Sequence, residues 1–470
     1  MSESAKFVTG STMRHVIVMA ATGSVGLVAV FLVDALNLFY ISLLGQQELA
    51  AAIGYAGTLI FFTTSIGIGL AIASTAITSR AIGAGRREEA RELATTSLIY
   101  TAVIMALAAL ACLPYLDAIV HFLGARDETA RLTVEFLLIV FPSMPLLGIG
   151  MCMSGLLRAA GDAKRAMYVT LFAGAATAVL DPIFIFGFDL GIHGAAISTV
   201  LTRFVLIFVG YYGLRRIHNL LALPSMPVLT GTLRPYLYIG LPAIMTQLAT
   251  PVGNAYMTIE IAGYGDAAVA GWAVVGRLIP VAFGALFALS GAVGPILGQN
   301  YGALRFDRLY STMRNSFIVI IAYTLVVWML LFISSDYIAA LFGVDGEAGE
   351  MVVFFCEYVS LTFLFTGMLF VANAAFNNLG YPLMSTIFNW GRSTLGIIPF
   401  VWIGSHYYGA LGALAGYGLG AVFFGIAAAI ACLRIIRGIA QKPPTEPPPP
   451  TDIQVSPAAN SPFTSGKGAT

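Results

Sequence analysis

Long apolar stretches, separated by short polar loops, follow one another along almost the whole chain. Each stretch has about 20 residues or more, the length that an α-helix needs to cross a bilayer. The pattern predicts twelve transmembrane helices, at roughly 15–43, 51–79, 95–115, 131–156, 167–187, 194–214, 236–262, 268–298, 315–335, 350–376, 385–404 and 410–433. The predicted fold class is therefore an all-α membrane protein.

Short motifs in the loops recur at a nearly constant distance. The matches are Arg80–Arg86 with Gln299–Arg305 and Gly161 with Gly380, both 219 residues apart, and Gly191–Gly194 with Gly409–Gly412, 218 residues apart. Each half then holds six helices, an even number, so both halves cross the membrane in the same direction. The repeat predicts two six-helix bundles related by a parallel internal duplication, an arrangement found in transporters.

The repeat divides the chain into five parts. They are a cytoplasmic N-terminus at 1–14, an N-terminal bundle at 15–214, a cytoplasmic connecting loop at 215–235, a C-terminal bundle at 236–436 and a tail at 437–470. The tail is rich in proline and small polar residues, a composition that cannot bury a core. We therefore predict a disordered cytoplasmic tail.

Basic residues collect in the loops that follow even-numbered helices. They include Arg80, Arg86, Arg87, Arg91, Arg158, Lys164, Arg165, Arg305, Arg308, Arg434 and Arg437. The opposite loops are mostly acidic or neutral. By the positive-inside rule, both termini are predicted to be cytoplasmic, in a multi-pass protein of the cell (inner or plasma) membrane.

The overall composition excludes several classes of function. The chain is 58% hydrophobic and only 10% charged, with a net charge of +1, so it offers no basic surface for nucleic acid. The five histidines are scattered among termini and loops, and no Walker-type phosphate loop is present. We expect a monomeric transporter in the lipid bilayer that is not an enzyme, needs no cofactor and is driven by an ion gradient rather than by ATP.

Two carboxylates lie inside predicted membrane helices of the first half. Asp181 is in the fifth helix, directly before Pro182, and Asp34 is in the first. An ionisable group at membrane depth is costly and is therefore a functional candidate by default. Thr177 lies one helical turn before Asp181, and Asn37 lies one turn after Asp34. These residues are predicted to couple transport to an ion.

The identity of the coupling ion stays open on this evidence. Oxygen ligands from Asp34, Asp181 and Thr199 would suit Na⁺, because hard cations prefer oxygen. A proton requires only a buried carboxylate. Arg203, in the sixth helix, is a candidate charge partner for either acid. The second half has no acid at the equivalent positions, so coupling is predicted to be confined to the first half.

An apolar cleft between the bundles would suit a lipophilic cation, which aromatic rings can bind through cation–π contacts. Candidate lining residues are Tyr40, Tyr256, Met257 and Met368. Two further embedded arginines, Arg277 and Arg392, are expected to hold helix-end carbonyl groups.

Three motifs together resemble the multidrug and toxic compound extrusion (MATE) family. They are Leu157–Lys164, Leu180–Gly187 and Gly191–Thr199. The resemblance covers about residues 15–436 and implies a V-shaped pair of six-helix bundles that exports lipophilic cations against inward H⁺ or Na⁺. It also implies that Asp34 and Asp181 are the family's embedded acids and Thr199 its hydroxyl in the sixth helix.

The chain departs from the Na⁺-coupled pattern of that family at two places. Thr177 stands where members with an N-terminal cation site often have asparagine, and no acid occurs around Thr250 or Met368, where other members place Na⁺. The resemblance is therefore closer to the DNA-damage-inducible (DinF-like) branch, which favours H⁺ coupling. The alternatives are a flippase for lipids or lipid-linked saccharides on a related fold and a membrane-embedded enzyme or sensor. A flippase should need a more cationic cleft, and no catalytic set or signalling domain is visible.

Overall fold

The structure is a computed structural model that describes residues 5–42 and 47–441, without the side chains at 34–39, 41–42, 47 and 50. Within these residues every regular element is helical. The first half comprises α1 (Thr12–Ser42), α2 (Gln47–Gly83), α3 (Arg87–Cys112), α4 (Leu116–Phe122), α5 (Asp127–Val140), α6 (Met144–Ala159), α7 (Ala163–Pro182), α8 (Gly191–Tyr211) and α9 (Met226–Gly231). The second comprises α10 (Leu233–Ala262), α11 (Asp266–Gly302), α12 (Phe306–Ile333), α13 (Ser335–Leu341), α14 (Gly346–Glu357), α15 (Phe363–Leu379), α16 (Pro382–Gly391) and α17 (Ile398–Gln441). Residues 437–441, the start of the predicted disordered tail, are helical as the end of α17, and the rest of the tail, beyond Gln441, lies outside the described residues.

The predicted membrane helices have counterparts in the structure. Ten segments among the described residues are long and apolar enough to cross a membrane. The last of them, Pro382–Gln441, contains a non-helical break at Tyr408 and Gly409 and so corresponds to the eleventh and twelfth predicted helices. The seventh predicted helix is α10, a 30-residue helix that is not among the ten. The all-α membrane fold is thus confirmed, as two repeats of six membrane-crossing units.

The fourth and tenth predicted helices are both interrupted, a feature that the apolar pattern does not reveal. A 3₁₀ turn, Phe141–Ser143, separates α5 from α6, and another, Val359–Thr362, separates α14 from α15. The two turns occupy equivalent positions in the repeat. Pro142 explains the first, because proline cannot donate the backbone hydrogen bond that would continue the helix. The second turn contains no proline, so sequence alone gives no signal for it.

The first helix of each repeat packs against the other repeat. Helix α1 lies along α11, and α10 lies along α2. Phe7, Val16 and Met19 consequently belong to the apolar core of the second half. Tyr236 and Ile239 belong to the core of the first half. The two bundles therefore share buried surface along α1 and α10, each of which also packs against its own half.

Helices α2 and α11 cross in close contact at the end of the molecule that carries the basic loops. A Cβ on Gly83 would lie 2.0 Å from the carbonyl oxygen of Gln299, and a Cβ on Gly302 would lie 2.1 Å from that of Arg80. Because Arg80 and Gly83 are the repeat equivalents of Gln299 and Gly302, the crossing is nearly symmetric. Arg80 also donates to the carbonyl oxygen of Asn378 at 2.9 Å. The basic end is thus closed by backbone contacts that only glycine permits.

A short N-terminal segment, residues 5–10, lies between the two halves at the same end. The side chain of Phe7 is 1% exposed. Its N–H donates to Gln299 Oε1 at 2.9 Å, and its carbonyl oxygen accepts from Arg308 at 2.8 Å. Lys6 Nζ donates to the carbonyl oxygen of Gly161 at 2.8 Å, in the first half. The segment is therefore hydrogen-bonded to both halves.

Asp162 forms a charged cluster at the start of α7. Its Oδ1 accepts the backbone N–H of Arg165 at 3.0 Å, which caps the helix, and its Oδ2 lies 2.7 Å from Nε2 of His218. Burial opposes ionisation of this carboxyl group. Hydrogen bonds from His218 and Arg165 outweigh burial and hold the pKa of Asp162 far below its usual range.

We expect this cluster to make stability depend on pH in the acidic range. Because the folded pKa is depressed, the stabilisation is present above the unfolded pKa of about 3.9 and is lost as pH falls toward the folded value. Asp162→Asn keeps the capping oxygen but removes the charge, so it should lower the free energy of unfolding at neutral pH by about 1–2 kcal/mol. Thermal unfolding of the purified protein at several pH values measures this. The same pH slope in wild type and Asp162→Asn would contradict the prediction.

Candidate functional site

Asp181 lies at the point where α7 changes its helical form. The α-helix ends at Pro182, and Ile183–Gly187 forms a π-helical turn, a feature often found at functional sites. The Asp181 side chain is 1% exposed. Its Oδ1 accepts a hydrogen bond from Ser198, whereas its Oδ2 has no hydrogen-bond partner among the described residues. A buried carboxylate with an unpaired oxygen is chemically suited to bind a proton or a cation.

A second pair of hydroxyl groups lies one helical turn from Asp181. Thr177 is buried, and its Oγ1 is 3.0 Å from Oγ1 of Thr202. Helices α7 and α8 run antiparallel, so that residues 177 and 181 face residues 202 and 198. The structure therefore brings Thr177 and Asp181 onto one face opposite two hydroxyls of α8.

Thr199, the predicted hydroxyl partner, makes a different contact. Its Oγ1 donates to the carbonyl oxygen of Ala195 at 2.8 Å, within its own helix. The neighbouring Ser198 contacts Asp181 instead. The sequence contained a signal for this arrangement, since Ser198 and Thr202 are four residues apart, as are Thr177 and Asp181.

Two of the predicted site residues have side chains outside the described part of the structure: Asp34 and Asn37. The backbone of α1 is described, and it runs beside α7. A Cβ on Gly174 would lie 3.0 Å from a methyl group of Val33, and the rings of Tyr40 and Phe186 are 6.4 Å apart. Residue 34 therefore lies on a stretch of α1 that passes the level of Thr177 and Asp181.

Arg203 is buried beneath the interrupted fourth helix. It donates to the carbonyl oxygen of Val140 at 2.8 Å and to Ser143 Oγ at 2.5 Å. These groups flank the turn where the helical hydrogen bonds are lost. Arg203 is not placed against Asp181, so its described contacts are those of a residue that stabilises the helix break.

The predicted cleft residues occupy different environments. Met257 is fully buried within the apolar core of the second half. Tyr256 and Met368 are half-buried and pack against that core, and Tyr40 is half-buried in the first half. Among the described residues, no group of three or more His, Cys, Asp or Glu side chains could hold a metal ion.

The duplicated helical fold, with a buried acid at a helix break in one half, defines a membrane transporter of two repeated bundles. The MatE family model matches residues 24–183 and 242–403, one segment in each repeat and together more than half of the chain. The chain belongs to this family, the multidrug and toxic compound extrusion transporters. This membership agrees with the expectation of a transporter rather than an enzyme.

Two curated relatives align over most of their length. The FAD transporter of Shewanella oneidensis is 26% identical over 434 residues, which cover 91% of this chain and 95% of that protein. The multidrug export protein MepA of Staphylococcus aureus is 25% identical over 387 residues, which cover 81% of this chain and 84% of that protein. The chain is thus similar to a transporter and to a multidrug export protein over most of its length.

A solved structure has the same fold. The crystal structure of the Vibrio cholerae MATE transporter VcmN in the bent form superposes with a TM-score of 0.87. The superposition covers 91% of this chain and 97% of that chain, at 24% identity. It confirms the overall architecture of two helical bundles.

Proposed function

We propose that this protein is a secondary antiporter that exports small lipophilic compounds, cationic ones among them, in exchange for inward H⁺ or Na⁺. The observation that carries the proposal is the Asp181 carboxylate, which is buried at a helix break with Oδ2 unpaired among the described residues. A group in this position changes its interactions when an ion binds. The MatE family membership and the similarity to MepA support the export of drugs.

Ion binding would act on the packing of α1 against α7. With Asp181 occupied from outside, the contacts between these two helices change, and the substrate is released outward. Loss of the ion to the inside resets the cycle. Coupling requires that the ion binds the two conformations with different affinity. Asp34, on the neighbouring stretch of α1, is the second proposed coupling residue.

We favour H⁺ over Na⁺ as the coupling ion. Near Asp181 the described oxygen atoms that could bind Na⁺ belong to hydroxyl groups. The hydroxyls of Thr177 and Ser198 already form hydrogen bonds. A proton needs no further ligands, whereas Na⁺ needs several oxygens around it. Thr199 would have to turn toward Asp181 to contribute to a Na⁺ site, because its hydroxyl is bound to Ala195 within α8.

A second candidate substrate class comes from the other relative. The protein named FAD transporter aligns with 91% of this chain, and FAD is an anionic dinucleotide rather than a cation. Export of nucleotide-like anions by the same alternating cycle is therefore the second candidate function. A lipid flippase on a related fold has no similarly specific support.

Ion movement in reconstituted liposomes tests the proposal. Addition of a lipophilic cation should release H⁺ from the lumen of energised vesicles, with and without Na⁺ outside. Substrate-dependent H⁺ movement in the absence of Na⁺ is the expected result. Transport that requires Na⁺ would reject the H⁺ assignment, and substrate movement unaffected by either gradient would reject antiport.

A further inference from the structure

Arg392 is a buried charge in the second half that forms no ion pair among the described residues. It is the first residue of the π-helical turn Arg392–Gly396, which follows α16 directly. It lies about 15 Å along the helix axis from Pro382, the first residue of α16. Its side chain is 4% exposed. Nη2 donates to Thr250 Oγ1 at 3.1 Å, and Nε has no partner in the described part of the chain. A guanidinium group has five N–H donors, so most of its capacity is unused here.

Two other buried arginines show what a structural arginine looks like in this protein. Arg80 donates to the carbonyl oxygens of Asn377 and Asn378 and lies over a tyrosine ring. Arg203 donates to a carbonyl oxygen and to a serine hydroxyl. Arg392 was expected to hold helix-end carbonyls in the same way, but its described acceptor is a neutral hydroxyl. Because a buried charge without a partner is destabilising, Arg392 calls for a different explanation.

Neutral polar side chains surround the approach to Arg392. Ser385, Asn389 and Arg392 are spaced four and three residues apart, which places them on one side of α16. Ser385 Oγ donates to Asn377 Oδ1 at 3.1 Å and accepts from Thr246 Oγ1 at 3.3 Å. Helices α10, α15 and α16 thus meet along a polar seam that ends at Arg392.

Helix α15 and the turn that begins at Arg392 contain further unpaired atoms. Asn373 lies one helical turn before Asn377, the residue that contacts Ser385, and its Oδ1 has no hydrogen-bond partner among the described residues. The Oγ of Ser393 has no partner there either. Glu260, the acid on α10, does not pair with Arg392. It accepts a hydrogen bond from Ser405 at 2.6 Å and lies about 15 Å along the helix from Thr250, which contacts Arg392. The end of the seam is therefore positive and only partly hydrogen-bonded.

We propose that Arg392 and this seam form a subsite for the phosphate group of a transported amphiphilic compound. A guanidinium group binds phosphate through paired N–H donors, and amide and hydroxyl groups can complete the shell. The two halves then have opposite polarity, with a carboxylate at Asp181 and a cation at Arg392. The inference rests on the proposed transport function and specifies its substrate class.

Access to the subsite requires movement of α10, which covers Arg392 in this structure. Pro251 follows Thr250 directly and removes a backbone hydrogen bond from α10 at that level. The helix can therefore bend next to the residue that holds Arg392. An entering phosphate would replace the single hydroxyl contact of the guanidinium group.

Binding of a matched ligand pair tests the proposal. Riboflavin and riboflavin monophosphate are fluorescent and differ by one phosphate group. Wild-type protein in detergent should bind the phosphate form about tenfold more tightly, the effect of one charge-assisted hydrogen-bonded contact. Arg392→Gln should reduce this ratio to about one. Wild-type protein that does not prefer the phosphate form overturns the proposal.

Arg277→Gln is the matched control, since Arg277 is an exposed arginine of the same half. It should retain the tenfold preference, and an equal loss in both variants would mean a general charge effect and reject the subsite. The melting temperature without ligand gives a second measurement. Arg392→Gln should melt no lower than wild type, whereas Arg203→Gln should melt lower. A large destabilisation by Arg392→Gln would assign Arg392 a structural role.

The result separates this inference from the proposed antiport. Asp181→Asn should keep the phosphate preference, because the carboxylate lies in the other half. Loss of H⁺ coupling in that variant with the preference intact supports both proposals. Intact coupling together with an unchanged preference in Arg392→Gln would reject the subsite alone.

Discussion

We expect Asp181→Asn to abolish ion-coupled export while the protein stays folded in the membrane. Asparagine has nearly the same shape and can still accept the hydrogen bond from Ser198. It cannot take up or release a proton, and it carries no charge to attract Na⁺. The ion therefore no longer distinguishes the two conformations, and the gradient cannot drive the substrate. We expect the rate of gradient-driven export to fall by about a hundredfold or more, the size expected when a step supplies roughly 3 kcal/mol.

Asp189→Asn is the matched control for this experiment. Asp189 is exposed in the loop before α8 and has a positive φ of 54°, which asparagine also adopts readily. Export should be measured in liposomes with an imposed pH gradient, next to uptake of the same substrate without a gradient. Normal gradient-driven export by Asp181→Asn would remove Asp181 from the mechanism.

Two neighbouring hydroxyls refine the same prediction. Ser198→Ala removes the hydrogen bond to Asp181 and should shift the pH at which export is half-maximal. Thr199→Ala removes only a contact within α8 and should leave export close to wild type. The opposite pattern would return Thr199 to the role that the sequence predicts for it.

The second large effect concerns the glycine crossing of α2 and α11. Gly83→Ala places a methyl group 2.0 Å from a backbone carbonyl oxygen, far inside any allowed contact. The side chain cannot rotate away, because Cβ has a fixed position on the backbone. The closed form of the basic end is therefore lost, and the two halves separate there. Turnover should fall at least tenfold, since the proposed transport cycle then loses the state in which this end is closed.

Gly57→Ala, on the same helix, is the control, because a Cβ there meets no atom within 4 Å. Spin labels at two exposed residues in different halves, Glu88 and Tyr310, report the opening. The distance between them should increase in Gly83→Ala and stay at the wild-type value in Gly57→Ala. An unchanged distance in both variants would show that the crossing can relax without opening.

The global architecture could be predicted from the sequence because it depends on features that are visible along the chain without knowledge of contacts. Apolar length identifies the membrane helices, and loop motifs such as Arg80–Arg86 identify the repeat. The turn at Val359–Thr362 could not be predicted, since no proline or glycine marks it. The burial of Phe7 and the hydrogen bonds of residues 5–10 were also not predictable, because their partners lie at distant positions such as Gln299 and Gly161.

The sequence alone singles out the candidate residue Asp181, but it does not tell which hydroxyl group contacts that residue. Asp181 follows from the cost of a carboxylate at membrane depth. The choice between Ser198 and Thr199 depends on a rotation of about 100° between adjacent helical positions, which requires the packed structure. Arg392 needed the structure as well, because an arginine is recognised as unpaired only when its neighbours are known.

Helices α1 and α10 each pack against the opposite half, and this packing bears on how the duplicated chain is assembled. Each half taken alone would lose the apolar partners that the other half supplies to its first helix. This mutual packing of the first helices resembles the exchange of elements in a domain-swapped dimer. Cohesion between the repeats comes from these two helices, from the crossing of α2 with α11 and from residues 5–10. We therefore expect a single six-helix repeat, expressed alone, to be less stable than the duplicated chain.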